Sequence, residues 1–307
     1  MKKIRVACIL LGHDYEGDVR EGRLKQALSL LGEAGTKNVD IAVLPEAFAD
    51  APGKMTYEAI DGPTISAVSK MAQAWSFVVV APIGELETDG AKRNTAVIIS
   101  REGKTIGRYC KNIPFWCEEG VTPGEEYCVF DTDAGRFGVL ICFESNWPDP
   151  WMELGHKGAD LVIWPSAYSA GRKLLAPAIY NNYYVISCTL VPDTTLVDIC
   201  GDQVAFAKGG PQVAIHEIDL DRTMVHDNFN RQALLDLQKD MGSRVEMRYF
   251  DREGWWLVES NDPQVSVREL LKERGIETLR EYTQRSKREI YELRRAQRPL
   301  PELSEQG

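Results

Sequence analysis

Three residues whose side chains could share one reaction each stand just past an apolar, strand-like run. In IAVLPEAFAD the run ends and Glu46 follows Pro45 at once. In GKTIGRYCKNIPFW a β-patterned run ends at Lys111, and in GVLICFESNWPDP the run Val139-Leu140-Ile141 ends in Cys142. Strand ends and the loops after them are where ligand sites form in α/β sheets. A thiol, a carboxylate and an ammonium suffice for nucleophilic catalysis. The thiol attacks well only as thiolate, and a reference pKa of about 8.5 leaves a few per cent ionised near neutrality. A carboxylate in contact can take the proton during attack and return it to a departing amine. A nearby lysine favours the thiolate and stabilises a developing oxyanion, and the backbone N–H of Phe143 is a second candidate donor. None of the four histidines stands beside these motifs, which sets aside a cysteine–histidine arrangement. Singly, Cys142 reads as a small buried hydrophobe, and Glu46 and Lys111 read as loop charges. Their shared placement is what points to chemistry.

The elements that must position them alternate between strand and helix patterns. Residues 4–11 read as a strand, and Leu24, Ala27, Leu28 and Leu31 mark one face of a helix. Residues 41–44, 77–83 and 95–100 read as strands, and 63–75 as a helix with Pro in its first turn. The stretches around REGK and around Ala134-Gly135 read as hairpins. A short helix near 150–157, a strand at 161–164, a helix around 172–183 and strands at 184–191, 195–199, 203–206 and 213–218 complete the pattern. No linker or repeat divides the chain, so the expectation is one domain over residues 1–260 and a charged helical tail over 261–307. Within the tail, residues 265–298 hold 10 Lys and Arg against 6 Asp and Glu, a net +4 that leaves −14 on the remainder. An incomplete stripe of Leu270, Leu271, Leu279, Tyr282, Ile290 and Leu293 is interrupted at Gly275. The tail is expected either to pack on its own domain or to contact a partner subunit.

Bulk properties narrow the classes of function. The net charge of −10 disfavours nonspecific binding to nucleic acid or an anionic membrane. Seven cysteines, an odd number without C-x-x-C spacing, suggest reduced thiols and a cytoplasmic protein. No two histidines lie at i+3 or i+4, so no metal site and no cofactor are expected. The start, MKKIRVACILLG, reads as a first buried strand rather than a signal peptide. No run approaches the ~20 apolar residues that a membrane span requires.

The stretches LPEAF, GRYCK and GVLICFESNWPD, in that order and with the flanking NTAVIIS and GADLVIWPSA, resemble the nitrilase, or carbon–nitrogen hydrolase, superfamily. The resemblance covers about residues 4 to 220. It implies a four-layer αββα sandwich followed here by the C-terminal helical tail, and hydrolysis through a covalent thio-intermediate. It implies Glu46 as general base and acid, Lys111 as stabiliser of the tetrahedral intermediate, and Cys142 as nucleophile. CEEGVTPG resembles the segment that carries a second glutamate in amidase members. Its register points to Glu119, with Glu118 as the rival. PAIYNNYYV departs from the family, with Pro177 and Tyr180 where many relatives carry Arg and Glu.

Aromatic residues crowd the flanking loops: Phe115, Trp116, Trp147, Trp151, Trp164 and Tyr168. Some belong to the core. Trp116, Trp147 and Tyr168, with Phe143, are the candidates for an apolar substrate pocket. FESNW after the thiol lacks the arginine that reads a carboxylate in certain carbamoyl-amino-acid hydrolases. The expectation is therefore a small-molecule amide hydrolysed to acid and ammonia, with N-carbamoyl compounds or nitriles as alternatives. A binding or regulatory subunit with a vestigial site is the reading from another class. Family resemblance also implies a homodimer or larger homo-oligomer.

Overall fold

In a computed structural model, which describes residues 2–13 and 17–301, the strands and helices alternate as the hydrophobic pattern requires. In chain order they are β1 (Lys3–Leu10), α1 (Val19–Gly35), β2 (Ile41–Val43), β3 (Tyr57–Glu58), α2 (Pro63–Trp75), β4 (Val78–Leu86), β5 (Lys92–Ile99), β6 (Thr105–Cys110), β7 (Val129–Thr132), β8 (Gly135–Val139), α3 (Pro148–His156), β9 (Leu161–Ser166), α4 (Leu175–Asn181), β10 (Tyr184–Thr189), β11 (Asp193–Val197), β12 (Gln203–Lys208) and β13 (Gln212–Asp219). One sheet runs β13-β1-β2-β4-β5-β6, with β3 beside β4; the other runs β12-β11-β10-β9-β8-β7.

The two-residue period of a strand explains the layers. On β1, Ala7 and Ile9 join a core cluster with Ala27 and Leu31 of α1 and Val68 of α2. Cys8, one residue out of phase, instead donates its S–H to the Ser187 carbonyl of β10 at 3.4 Å. Cys188 returns the contact, donating to the Val43 carbonyl of β2 at 3.3 Å. The first sheet is thus covered by helices on one face and by the second sheet on the other. On the second sheet, α3 and α4 pack together and α4 lies against β10. The result is the expected αββα sandwich. β1, β2 and β4 pair in parallel, as do β8, β9 and β10, so their C-terminal ends gather on one side. Both expected hairpins form, as antiparallel β5–β6 and β7–β8.

Residues Ile4–Ile218 form one compact unit. Residues 219–301, with 2–3, group into a second, so the division expected at 260 does not coincide with the observed one. The reason is apolar pairing. Strands β14 (Thr223–His226), β15 (Val245–Phe250) and β16 (Trp255–Ser260) form an antiparallel sheet, and helices α5 (Arg231–Met241), α6 (Val267–Glu273) and α7 (Leu279–Arg295) accompany it. Val225, Val245 and Val258 of that sheet bury against Leu234 and Leu237 of α5 and Val267 and Leu271 of α6. The apolar side of α6 therefore packs within its own unit. Gly275, at φ 66°, separates α6 from α7, where a left-handed residue favours glycine. Leu279 opens α7 buried, while Ile290 and Tyr291 farther along are exposed. No helix among the described residues is long and apolar enough to cross a membrane.

One carboxylate fastens α6. Asp221 accepts hydrogen bonds from the Ser266 hydroxyl at 2.8 Å and the Val267 N–H at 2.7 Å. Burial raises its pKa, but these donors outweigh burial and hold it below the ordinary value. A depressed carboxyl stabilises the fold above its unfolded pKa, and that stability is lost as pH falls through the folded value. Asp221→Ala is expected to lower the stability of this unit by roughly 1–3 kcal/mol and to speed amide exchange across Val267–Glu273. Unchanged exchange there would contradict the fastening role.

Candidate active site

β2 and β6 of the first sheet and β8 of the second each deliver, just past their C-terminal ends, one side chain to a buried cluster. Beyond β2, Ala47 adopts φ 46° and the turn sets Glu46 inward, 5% exposed. Arg23 of α1 braces this turn by donating Nε–H to the Phe48 carbonyl at 2.9 Å. Beyond β6, strand alternation buries Tyr109 and Lys111, the latter 1% exposed. Cys110 turns the other way, to within 3.6 Å of Thr95 Oγ1. Beyond β8, Cys142 begins a short 3-10 turn over Cys142–Asn146 with φ 50°. A non-glycine residue in that region costs about 1–3 kcal/mol and persists only where neighbours enforce it. Here Glu144 accepts the Ile141 N–H at 2.7 Å, and the Trp164 indole donates to the Cys142 carbonyl at 3.1 Å.

Lys111 is the hub. Its Nζ donates to Glu46 Oε1 at 2.9 Å and also to Glu118 Oε1. Asn94 Nδ2 bridges the same two carboxylates, 2.8 Å from Glu46 Oε1 and 2.9 Å from Glu118 Oε2. The Ala167 N–H, just past β9, donates to Glu46 Oε2 at 2.8 Å. Burial works against the ammonium, but Glu46, Cys142 and Glu118 outweigh it and hold the Lys111 pKa above its ordinary value. For Cys142, burial first and the Glu46 charge second push the thiol up to about 12, against the opposing pull of Lys111, Ser166 and Ala167. Lysine proximity alone predicts a thiolate. Burial, with the Glu46 charge behind it, leaves the resting group a thiol.

The second glutamate at this hub is Glu118, which corrects the register-based choice of Glu119. Glu118 folds back, its carboxylate accepting the Phe115 N–H at 2.8 Å while its own N–H donates to the Phe115 carbonyl at 2.8 Å. That tight turn carries Glu119 out to solvent. Sequence reasoning missed Asn94, although hairpin register could have found it. Thr95 pairs with Cys110, so Asn94 stands opposite Lys111, whose N–H it accepts at 2.8 Å.

The aromatic candidates separate. Trp151 and Trp164 are core. Trp116 is 94% exposed, and nothing brings its ring to the thiol. Phe143 sits between Phe115 and Trp147, each ring centroid 5.1 Å from its own, so Phe115 joins this row in place of Trp116. Tyr168 places its hydroxyl 2.6 Å from Ser145 Oγ and its ring edge-on to Trp164. Arg172 and Lys173 are exposed. Pro177 packs inside and Tyr180 points to solvent, while Asn181 Nδ2 ties the helix end to the Pro177 carbonyl at 2.8 Å. Among the described residues, no group of three or more His, Cys, Asp or Glu side chains is placed to hold a metal ion.

A model of the carbon–nitrogen hydrolase family matches residues 5–224. Among curated proteins, omega-amidase NIT3 of Saccharomyces cerevisiae is 28% identical over 258 residues, covering 71% of this chain and 88% of that protein. Omega-amidase NIT2-A of Xenopus laevis is 27% identical over 234 residues, covering 66% and 84%. Among solved structures, Saccharomyces cerevisiae Nit3, a member of branch 10 of the nitrilase superfamily, superposes with a TM-score of 0.63 at 23% identity, over 78% of this chain and 95% of that one.

Glu144 underlies the whole arrangement. Fully buried, it also accepts from the Tyr109 hydroxyl at 2.6 Å and the Asn112 N–H at 3.0 Å, so one carboxyl ties the Cys142 turn to the Lys111 segment. Burial raises its pKa from the ordinary 4.5 to about 7, against these hydrogen bonds. A carboxyl with a raised folded pKa contributes stability that is complete below its unfolded value and is lost as pH rises through the folded one. Between pH ~4.5 and ~7, stability should fall by roughly 2–3 kcal/mol on this account. Glu144→Gln, which cannot ionise, should flatten that slope in denaturant titrations. An identical slope in the variant would remove Glu144 as its source.

Proposed function

Because this chain belongs to the carbon–nitrogen hydrolase family, we propose that it hydrolyses a small primary amide, R–CO–NH2, to acid and ammonia through a thioester on Cys142. The observation that carries this is the buried Glu46–Lys111–Glu118 array beside a thiol held in a left-handed turn. The omega-amidase names of the curated relatives support the amide as the bond cleaved.

On this reading each group has a step. Cys142 Sγ attacks the carbonyl carbon as its proton passes to Glu46. With the thiol pKa pushed up to about 12, attack requires this transfer rather than a standing thiolate. The carbonyl electrons move to oxygen, forming an oxyanion. An ammonium has three donors; two of those on Lys111 serve Glu46 and Glu118, and the third is available to this oxygen. The Phe143 N–H is the second donor. The oxyanion collapses, the C–N bond breaks, and Glu46 returns the proton to the departing ammonia. Water then attacks the thioester, giving a proton to Glu46. The C–S bond breaks, and the proton goes back to sulfur. Glu118 holds the ammonium in place throughout. Phe115, Phe143 and Trp147 form an apolar wall for the acyl group. A cytoplasmic homodimer or larger homo-oligomer belongs to the same proposal, supported by seven free cysteines and by family resemblance.

A panel of primary amides, N-carbamoyl compounds and nitriles, read by ammonia and carbon dioxide release, tests the bond assignment. Cys142→Ala should reduce ammonia release by roughly a thousandfold or more, and hydroxylamine should divert the wild-type acyl group to a hydroxamate. Undiminished turnover in Cys142→Ala would sink the mechanism, and no turnover of any panel member by the wild type would favour a binding subunit. Glu118→Gln, which weakens the clamp on Lys111, should lower kcat/KM by about a hundredfold. Glu119→Gln, an exposed change, should stay within about twofold. The reverse ranking would reassign the second glutamate.

A further inference from the structure

A cavity of ≈ 170 Å³ opens in the 4–218 unit against Ser169, Asp193, Thr195, Gln203 and Phe206. A dry cavity of about 150 Å³ holds a benzene-sized molecule, so the space suits a group of about six heavy atoms. One wall is unusual. Asp193 is 6% exposed. Its carboxylate accepts from the Thr189 hydroxyl at 2.8 Å and from the Ser169 hydroxyl. Among the described residues, no lysine or arginine pairs with it. Lys208, its register partner on β12, is exposed instead. A carboxylate has roughly four acceptor positions, and the two hydroxyls fill two. Burying a charge without a counter-charge is unfavourable, so this carboxylate is short of a cation, and the cavity is where one can enter. The other lining groups suit a cation as well. Thr195 and Gln203 are neutral, and the half-exposed ring of Phe206 offers a π face.

The cavity is joined to the reacting atoms by one short segment. Ser166 influences the Cys142 thiol and the Ala167 N–H holds Glu46. Ser169, two residues on, lines the cavity and bonds Asp193. Ala167 and Ser169 are thus at most about 7 Å apart along the chain, a separation that a linear acyl chain of about five or six carbons can bridge.

We propose that this cavity is the distal substrate subsite and that Asp193 selects a primary ammonium at the end of a linear acyl chain, so that the amide cleaved at Cys142 is a cationic ω-amino amide. The substrate class rests on the amide-hydrolase reading; the ammonium subsite does not.

The test compares 6-aminohexanamide with its uncharged isostere heptanamide, and titrates n-pentylammonium against the full chain by calorimetry. The kcat/KM ratio, cationic over neutral, should be about tenfold or more in the wild type and should collapse toward one in Asp193→Asn. Affinity for n-pentylammonium should fall by about tenfold or more in the same variant. A wild-type ratio of one or less, a ratio unmoved by Asp193→Asn, or the lack of saturable n-pentylammonium binding each overturns the proposal. If neither amide turns over while n-pentylammonium binds and Asp193→Asn abolishes binding, the hydrolase reading fails and the ammonium subsite stands. Should Asp193→Asn fail to fold, the wild-type ratio decides, with Phe206→Leu at the open mouth expected to lower n-pentylammonium affinity by about twofold to fivefold.

Discussion

A lysine ammonium with a fully buried side chain organises this protein's candidate site. Removing one partner from a buried ion pair typically costs about 3–5 kcal/mol, so the lysine dictates what surrounds it. Glu46 and Glu118 provide the charge, and Asn94 keeps the two carboxylates from repelling each other apart. Lys111 follows β6 directly, Glu46 stands in the turn after β2, Asn94 lies on β5, and Glu118 reaches back from the loop after β6. The sandwich supplies rigid strands, the strand ends supply side chains without helical or ladder partners, and the charge array fixes the loops between them.

Two devices keep the thiol in register with that array. The first is the left-handed conformation of Cys142, which redirects the chain from β8 into the 3-10 turn. The second is Glu144, whose single carboxyl accepts from the Ile141 N–H on one side and from the Tyr109 hydroxyl and Asn112 N–H on the other. A carboxyl so deeply buried is unfavourable in isolation, yet it satisfies backbone donors that burial would otherwise leave unpaired. Glu144 therefore contributes to the chemistry by fixing geometry.

Legibility in the sequence followed the strength of local signal. α2 begins at Pro63 and ends at Trp75, as the residues suggested, because a proline at the first turn and an apolar face mark it unambiguously. Glu46 and Cys142 follow apolar runs and Lys111 follows a β-patterned one, and it was this shared placement, with the family order of the three motifs, that made them candidates. Glu118 was not distinguishable from Glu119, since a one-residue choice is made by a backbone turn through Phe115 that no periodicity announces. Strands β14–β16 escaped notice for a different reason. They are short, and β15 places a single fully buried residue, Val245, among charged neighbours. α5 buries only Leu234 and Leu237. β15 and α5 are weakly apolar alone, and their packing with β14, β16 and α6 makes them a unit.

The charge balance of the array constrains any chemistry at Cys142. Two carboxylates and one ammonium carry a net negative charge next to the sulfur, so forming a second anion there in advance of attack is disfavoured. Proton removal must accompany bond formation, and the group that receives the proton must be one whose other lone pairs are already held. Glu46 meets that condition. Lys111 and Asn94 hold its Oε1 and the Ala167 N–H holds its Oε2, so its position is fixed. Under the proposed transfer, Glu46 becomes neutral and Glu118 is the carboxylate left opposing Lys111. The ammonium's attraction for a new negative charge is then greatest at the moment an oxyanion would form. On the proposed mechanism, a site slightly too negative at rest would be converted, by its own proton transfer, into one electrostatically matched to a tetrahedral intermediate.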